Sequence, residues 1–304
     1  MKKIVVALFA VAFLLALPAA KANVVITDST TSFAVGIGPD GELYDSSTGV
    51  GVRRLSDGYD PLQPGSPRDS WGVSTSSGSA FADYVDFGTS GISGTVVTST
   101  ANTASYLTTT TVGVTVGQNY SFVAPNVLEI ATTITNTGAA SDVMFQRDID
   151  WDVFPTEFNE NTFAGAIPGS PVIDSTYYGF DNPDPTVPYG ASCAGGCNNQ
   201  GDLGGGIKLD LGILGTGQSA SFNFFYAINQ SGENVNSLDA QLSGFGASYI
   251  VSTQSSENGD YPNLGSNSAA IGYGPSMPEP SSVALFVTAL AGFGGYAWRR
   301  RKSA

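Results

Sequence analysis

Between Val127 and Phe154 the chain alternates apolar and polar residues so strictly that only extended backbone can sort them onto two faces. Leu128, Ile130, Thr132 and Ile134 recur at every second position, Asn136-Thr137-Gly138 supplies turn chemistry, and Asp142 to Phe154 resumes the alternation. In that second run Val143, Phe145, Arg147, Ile149, Trp151 and Val153 share one face, while Met144, Gln146, Asp148, Asp150 and Asp152 share the other. The pattern predicts a β-hairpin over 127–154.

The rest of the chain repeats this vocabulary. Val24–Thr27 and Ser32–Ile37 read as short strands before the turn Gly38-Pro39-Asp40-Gly41. Strands are expected at 71–76, 80–87, 92–99, 104–116 and 119–123. The stretch 57–72, rich in proline and glycine, predicts a long loop, as does most of 155–205, where a strand is expected only at 172–180. Gly206–Leu214 and Ser219–Asn229 predict a second hairpin, with Phe222, Phe224, Tyr226 and Ile228 on one face of the latter. One short helix fits 231–242, where Val235, Leu238 and Leu242 fall on one side. A last strand is expected at 246–253, closing an extracellular β domain over 23–253. The Ser/Asn/Gly-rich segment 254–276 reads as a spacer. The fold class expected is all-β, an antiparallel β-sandwich-like ectodomain, built as one large domain or two smaller ones.

Both ends carry targeting signals. Lys2 and Lys3 precede an apolar run, Ile4 to Leu17, and Ala20-Lys21-Ala22 offers a small-x-small cleavage site. A signal peptide over 1–22, cut after Ala22, follows. At the other end stand Pro278-Glu279-Pro280, then 18 uncharged residues from Ser281 to Trp298, then Arg299, Arg300, Arg301 and Lys302. As a helix, 281–298 would run about 27 Å, the short end of what crosses a bilayer. The basic cluster after it should stay cytoplasmic and leave the preceding chain outside.

This three-part tail resembles the PEP-CTERM sorting signal of Gram-negative bacteria. The resemblance implies that residues 277–304 are read by an exosortase, which is thought to cleave near Pro278-Glu279-Pro280. It also implies that the protein is held in the membrane during sorting and then passed to the cell surface or extracellular matrix. Ile134-Thr135-Asn136-Thr137-Gly138 and Arg147-Asp148-Ile149-Asp150-Trp151-Asp152 likewise resemble an "NT" turn and an "R-x-x-D-W-D" strand found in many PEP-CTERM ectodomains. That likeness implies an extracellular β domain and no particular activity.

Charge and composition narrow the function. Seven of the 12 basic residues and one of the 26 acidic ones lie in the terminal signals, so five bases against 25 acids remain, a formal charge of about −20 on the exported part. Such a surface repels nucleic acid and favours divalent cations. With no histidine in the chain, serine–histidine and cysteine–histidine catalysis and the usual zinc enzymes are excluded. In an oxidising compartment Cys193 and Cys197 are expected to form a disulfide closing a small loop, in preference to binding metal through two thiolates.

Four features could carry chemistry. Asp148, Asp150 and Asp152 stand about 7 Å apart on one strand face. They fit a solvated polar face, a calcium site supported by Glu157 and Glu160, or an acid pair for glycoside hydrolysis. Asp57, Asp60 and Asp69 fit either calcium or a turn held by Arg68 pairing with a neighbouring carboxylate. Arg147, placed among apolar residues, calls for a buried carboxylate partner, with an anion or uronate site as the alternative. The aromatics Trp71 and Tyr59, with Tyr177, Tyr178 and Tyr189, could stack on sugar rings, whereas Trp151 alternates with core residues. The function expected is a non-catalytic surface or matrix component associated with exopolysaccharide. The alternatives are a polysaccharide-active hydrolase or lyase and a calcium-bridged adhesin.

Overall fold

The computed structural model describes residues 22–230, 233–256 and 267–276. The signal-peptide core, Pro278-Glu279-Pro280, the expected membrane helix 281–298 and Arg299, Arg300 and Arg301 lie outside the described residues. Among those described, no helix is long and apolar enough to cross a membrane.

In chain order the strands are β1 (Val24–Thr27), β2 (Phe33–Ile37), β3 (Val52–Arg54), β4 (Asp69–Thr75), β5 (Gly78–Asp83) and β6 (Thr89–Ser90). Next come β7 (Ile92–Ser99), β8 (Thr103–Thr110), β9 (Val114–Ala124), β10 (Val127–Asn136), β11 (Ser141–Asp150) and β12 (Glu160–Ala166). The series ends with β13 (Val172–Thr176), β14 (Gly195–Gly201), β15 (Gly204–Leu214), β16 (Ser219–Ile228), helix α1 (Val235–Gly244), β17 (Tyr249–Ser255) and β18 (Ser268–Pro275). A nine-stranded sheet runs β14-β12-β17-β18-β16-β10-β9-β8-β7, a six-stranded sheet β13-β15-β11-β4-β5-β6, and a small one β1-β2-β3. Neighbouring strands pair antiparallel, as in β10 with β16 and β11 with β4.

The two large sheets face each other through the alternating apolar residues. Phe145 of β11 meets Phe222 and Phe224 of β16 with ring centroids 5.2 and 5.9 Å apart. One core cluster takes in Ile26 and Val35 of the small sheet, Trp71 and Phe145 of the six-stranded sheet, and Ile130 and Tyr226 of the nine-stranded sheet. This is the sandwich that the alternation predicts.

Both expected hairpins are absent, although their strands are present. β10 pairs with β9 and β16, while β11 pairs with β4 and β15, so the turn at 136–138 crosses from one sheet to the other. β15 and β16 are divided between the sheets in the same way. Alternation states which face of each strand is apolar. A hairpin puts two such faces side by side, and an arch puts them opposite each other across the core; both bury the same residues. Here Asn136 fixes the arch: its Nδ2 donates to the carbonyls of Ala139 (2.8 Å) and Leu214 (2.6 Å), and its Oδ1 accepts from Gly138 N (2.9 Å).

Two further expectations are corrected. The loop-rich 155–205 holds β12 and β14 as well as β13, which stops at Thr176. The supposed spacer contains β18, which lies between β16 and β17 inside the nine-stranded sheet, so the folded unit continues past 253 to Pro275. Its small residues suit a strand overlaid by the helical segment. A Cβ on Gly272 would stand 3.1 Å from the Ala247 Cβ, and one on Gly274 would come within 2.4 Å of the Gly246 carbonyl oxygen. The helix itself forms as expected, with Asn234 capping Ser237 N at 3.0 Å and Val235, Leu238 and Leu242 buried.

Candidate functional site

The polar face of β11 does not meet solvent. Asp148, Asp150 and Asp152 are 0, 3 and 2 % exposed, which overturns the solvated face. Arg68 draws the 179–181 segment over them. Its guanidinium donates to the carbonyls of Gly179 and Asp181 and pairs with Asp83 at 2.9 Å. The partner is Asp83, fifteen positions on, and none of Asp57, Asp60 and Asp69. Glycines allow the close approach: a Cβ on Gly179 or Gly204 would stand 2.5 or 2.8 Å from the Asp150 Cα.

The three aspartates do not act together. Asp148 lies inside the ladder, where its Oδ2 accepts from Gln146 Nε2 at 2.9 Å. Burial pushes its carboxyl up to about 7, against the downward pull of the Tyr189 phenol, Arg68 and Lys208. β11 ends at Asp150, and beyond that point the chain is free of strand spacing. Asp150 and Asp152 there converge with Asp202, from the short link between β14 and β15, and each offers a carboxylate oxygen within 4.8 Å of the others. Asp148 is thus replaced by Asp202 in the expected trio. The physical reason is that residues two apart on a straight strand remain about 7 Å apart. Asp202 sits in Gly201-Asp202-Leu203-Gly204-Gly205-Gly206, an acid in a glycine-rich turn and the one sequence signal that could have marked it.

Glu160 clamps the two halves of this cluster. Its Oε1 accepts from Val153 N (3.2 Å) and its Oε2 from Leu203 N (3.4 Å), which ties the residue after Asp152 to the residue after Asp202. Burial holds Glu160 up at about 8, with repulsion from Asp152 adding to it. Asp152 is pushed up to about 7 by burial, then by Asp202 and Glu157. Asp150 is raised well above the usual carboxylate range by burial, then by Asp152, Asp202 and Glu160.

Asp152 also reaches an open cavity of about 440 Å³, lined by Arg53, Arg54, Tyr59, Asp152, Phe154 and Glu157 among others. Tyr59 is half-buried in its wall with the Arg54 guanidinium 4.8 Å above its ring, and Arg54 pairs with Asp57 at 2.7 Å. Phe154 is 56 % exposed at the rim. An aromatic wall beside charged groups can stack on a pyranose ring and hydrogen-bond its hydroxyls.

Trp71 is elsewhere. It is fully buried between the sheets, stacked on Phe145 at 6.3 Å, with its Nε1 donating to the Asp40 carbonyl at 2.9 Å. Its expected sugar-binding role is therefore corrected to core packing, because its position on β4 faces inward. Trp151 is core as well, edge-on to Tyr226 at 6.2 Å.

Asp57, Asp60 and Asp69 are dispersed. Asp60 accepts from Gly51 N and Val52 N, both at 2.9 Å, and lies 3.3 Å from Arg53. Asp69 takes Arg147 at 2.6 Å, with both side chains fully buried, so Arg147 has the buried carboxylate partner that its position calls for. Cys193 and Cys197 form the expected disulfide. Compared with known proteins, the chain matches no family model and no curated protein.

Proposed function

We propose that this chain is an exported, non-catalytic component of the cell surface or extracellular matrix, sorted by an exosortase and associated with exopolysaccharide. The observation that carries the sorting is the order Pro278-Glu279-Pro280, uncharged 281–298, Arg299-Arg300-Arg301 at one end, with a cleavable leader at the other. The membrane helix serves as an anchor until processing. Support for a sugar partner is the cavity beside Tyr59 and Phe154, where aromatic carbon lies next to Arg53, Arg54 and Glu157.

The sorting test is deletion of 277–304 in the producing cell. Unchanged processing and location would sink that half of the proposal. For the partner, the purified protein is mixed with the cell's own extracellular polysaccharide, and co-sedimentation and new reducing ends are measured in one tube. Co-sedimentation without new ends is expected. A polysaccharide-active enzyme is the alternative, favoured by Asp152 and Glu157 facing the same cavity. New reducing ends, or unsaturated-sugar absorbance for a lyase, would overturn the non-catalytic proposal in its favour.

A further inference from the structure

We propose that Asp150, Asp152 and Asp202 bind one calcium ion at the end of β11, a site that does not depend on the sugar partner. Three carboxylates lie close together. A second observation points to a ligand: the Oδ1 atoms of Asp150 and Asp152 are fully buried and accept no hydrogen bond from any described residue. Buried carboxylate oxygens are ordinarily satisfied, and an acceptor without a donor is costly.

Among the described residues no basic side chain forms an ion pair with this cluster; Arg68 pulls on Asp150 only as the last and weakest of its neighbours, behind the repulsion of Asp152, Asp202 and Glu160. Five basic residues fall among those described, and each directs its charge elsewhere. Arg53 pairs with Asp60, Arg54 with Asp57, Arg68 with Asp83 and Asp86, and Arg147 with Asp69. Lys208 donates to the Val187 carbonyl at 2.6 Å and lies over the Tyr189 ring. A proton shared between two of the carboxylates would leave the third without a partner. A divalent cation satisfies all three groups at once.

The donor set is all hard oxygen, with neither histidine nor thiolate near it. Calcium accepts such ligands at about 2.3–2.6 Å, so oxygens on opposite sides of the ion stand roughly 4.6–5.2 Å apart. Oxygens within 4.8 Å of one another fit on that sphere. Magnesium demands a near-ideal octahedron at about 2.0–2.1 Å, gives up its waters reluctantly and usually takes only one or two carboxylates, so a site of three carboxylates suits calcium better. Asp202 is exposed, which leaves a side open for entry and for water, while Glu160 holds the two ligand-bearing segments together.

The test titrates calcium alone into the full-length protein, purified in non-ionic detergent and stripped with chelator, by calorimetry and by thermal melting. One calcium per chain and a higher melting temperature are expected. Asp202→Asn should weaken binding at least tenfold without lowering the melting temperature in chelator, because the side chain is exposed and its charge repels Asp150 and Asp152. Asp150→Asn should also lose the calcium response, whereas Asp57→Asn, on the cavity rim, should retain it. No binding heat, a Asp202→Asn variant that binds as tightly as the parent, or an equal response to magnesium would each overturn the proposal.

Discussion

The ion pair between Asp69 and Arg147 holds the middle of the sandwich, and breaking it from either side should have unequal consequences. Arg147 Nη2 lies 2.6 Å from Asp69 Oδ2; Nη1 donates to Gln118 Oε1 at 2.6 Å, and Nη2 also to the Gly41 carbonyl at 3.1 Å. Asp69 accepts further from Leu43 N at 2.7 Å and from the Tyr226 hydroxyl at 2.9 Å. Asp69→Asn strands a guanidinium that cannot lose its proton, which costs about 3–5 kcal/mol. Arg147→Met strands a carboxylate, which escapes by binding a proton. The cost of that escape rises with pH above the unfolded pKa near 3.9, at about 1.4 kcal/mol per unit. It comes to roughly 4 kcal/mol at pH 7 and roughly 1.5 at pH 5.

The sign follows from linkage: a carboxyl raised in the folded state contributes stability below its unfolded pKa and loses it as pH rises. Relative to the parent at each pH, the deficit of Arg147→Met should therefore shrink by up to about 2–3 kcal/mol between pH 7 and pH 5, less the share the parent already shows because burial raises Asp69 there too. The deficit of Asp69→Asn should vary less and in the opposite sense, because it removes only the pH dependence of Asp69 itself, whose carboxyl burial raises even beside Arg147. Urea unfolding followed by tryptophan fluorescence measures both, since Trp71 and Trp151 are fully buried reporters. Equal deficits at the two pH values for Arg147→Met, or a cost under about 1 kcal/mol for Asp69→Asn, would refute the reasoning.

Three other outcomes are expected. In chelator, thermal stability should fall as pH rises from 5 to 8, because Asp152 (about 7), Glu160 (about 8) and Glu42, buried in the turn after β2 and pushed up by that burial to about 8, hold protons longer folded than unfolded; a higher melting temperature at pH 8 than at pH 5 would count against those shifts. Asn136→Ala removes the contacts that fix the first arch and should cost about 2 kcal/mol in urea unfolding, with a negligible change showing that the arch is held elsewhere. Trp71→Ala should cost about 3–5 kcal/mol as a core truncation, whereas Phe154→Ala should weaken polysaccharide co-sedimentation at unchanged melting temperature; the reverse pattern would return Trp71 to the ligand.

Alternation was enough to mark Leu128, Ile130, Phe145, Phe222 and Phe224 as inward-facing, and the 3.6-residue pattern was enough for Val235, Leu238 and Leu242. Those are local properties of a strand or helix, and neighbouring residues state them. The proximity of Cys193 and Cys197, and the need of Arg147 for a buried carboxylate, were legible for the same reason: each follows from spacing or chemistry within a few residues.

Pairing was not legible. Whether β10 and β11 lie side by side or face each other depends on β9, β16, β4 and β15, up to about ninety residues away, and both arrangements bury the same faces. The candidate cation site was half legible for the same reason. Asp150 and Asp152 stand in a visible acidic row, but Asp202 joins them only because Glu160 clamps two distant segments, and Asp148 is lost to the ladder. The row also looked solvated until the 179–181 segment, pulled in by Arg68, covered it. The sequence determined which residues turn inward; tertiary structure decided what each one meets there, because burial is local in pattern and contact is long-range in origin.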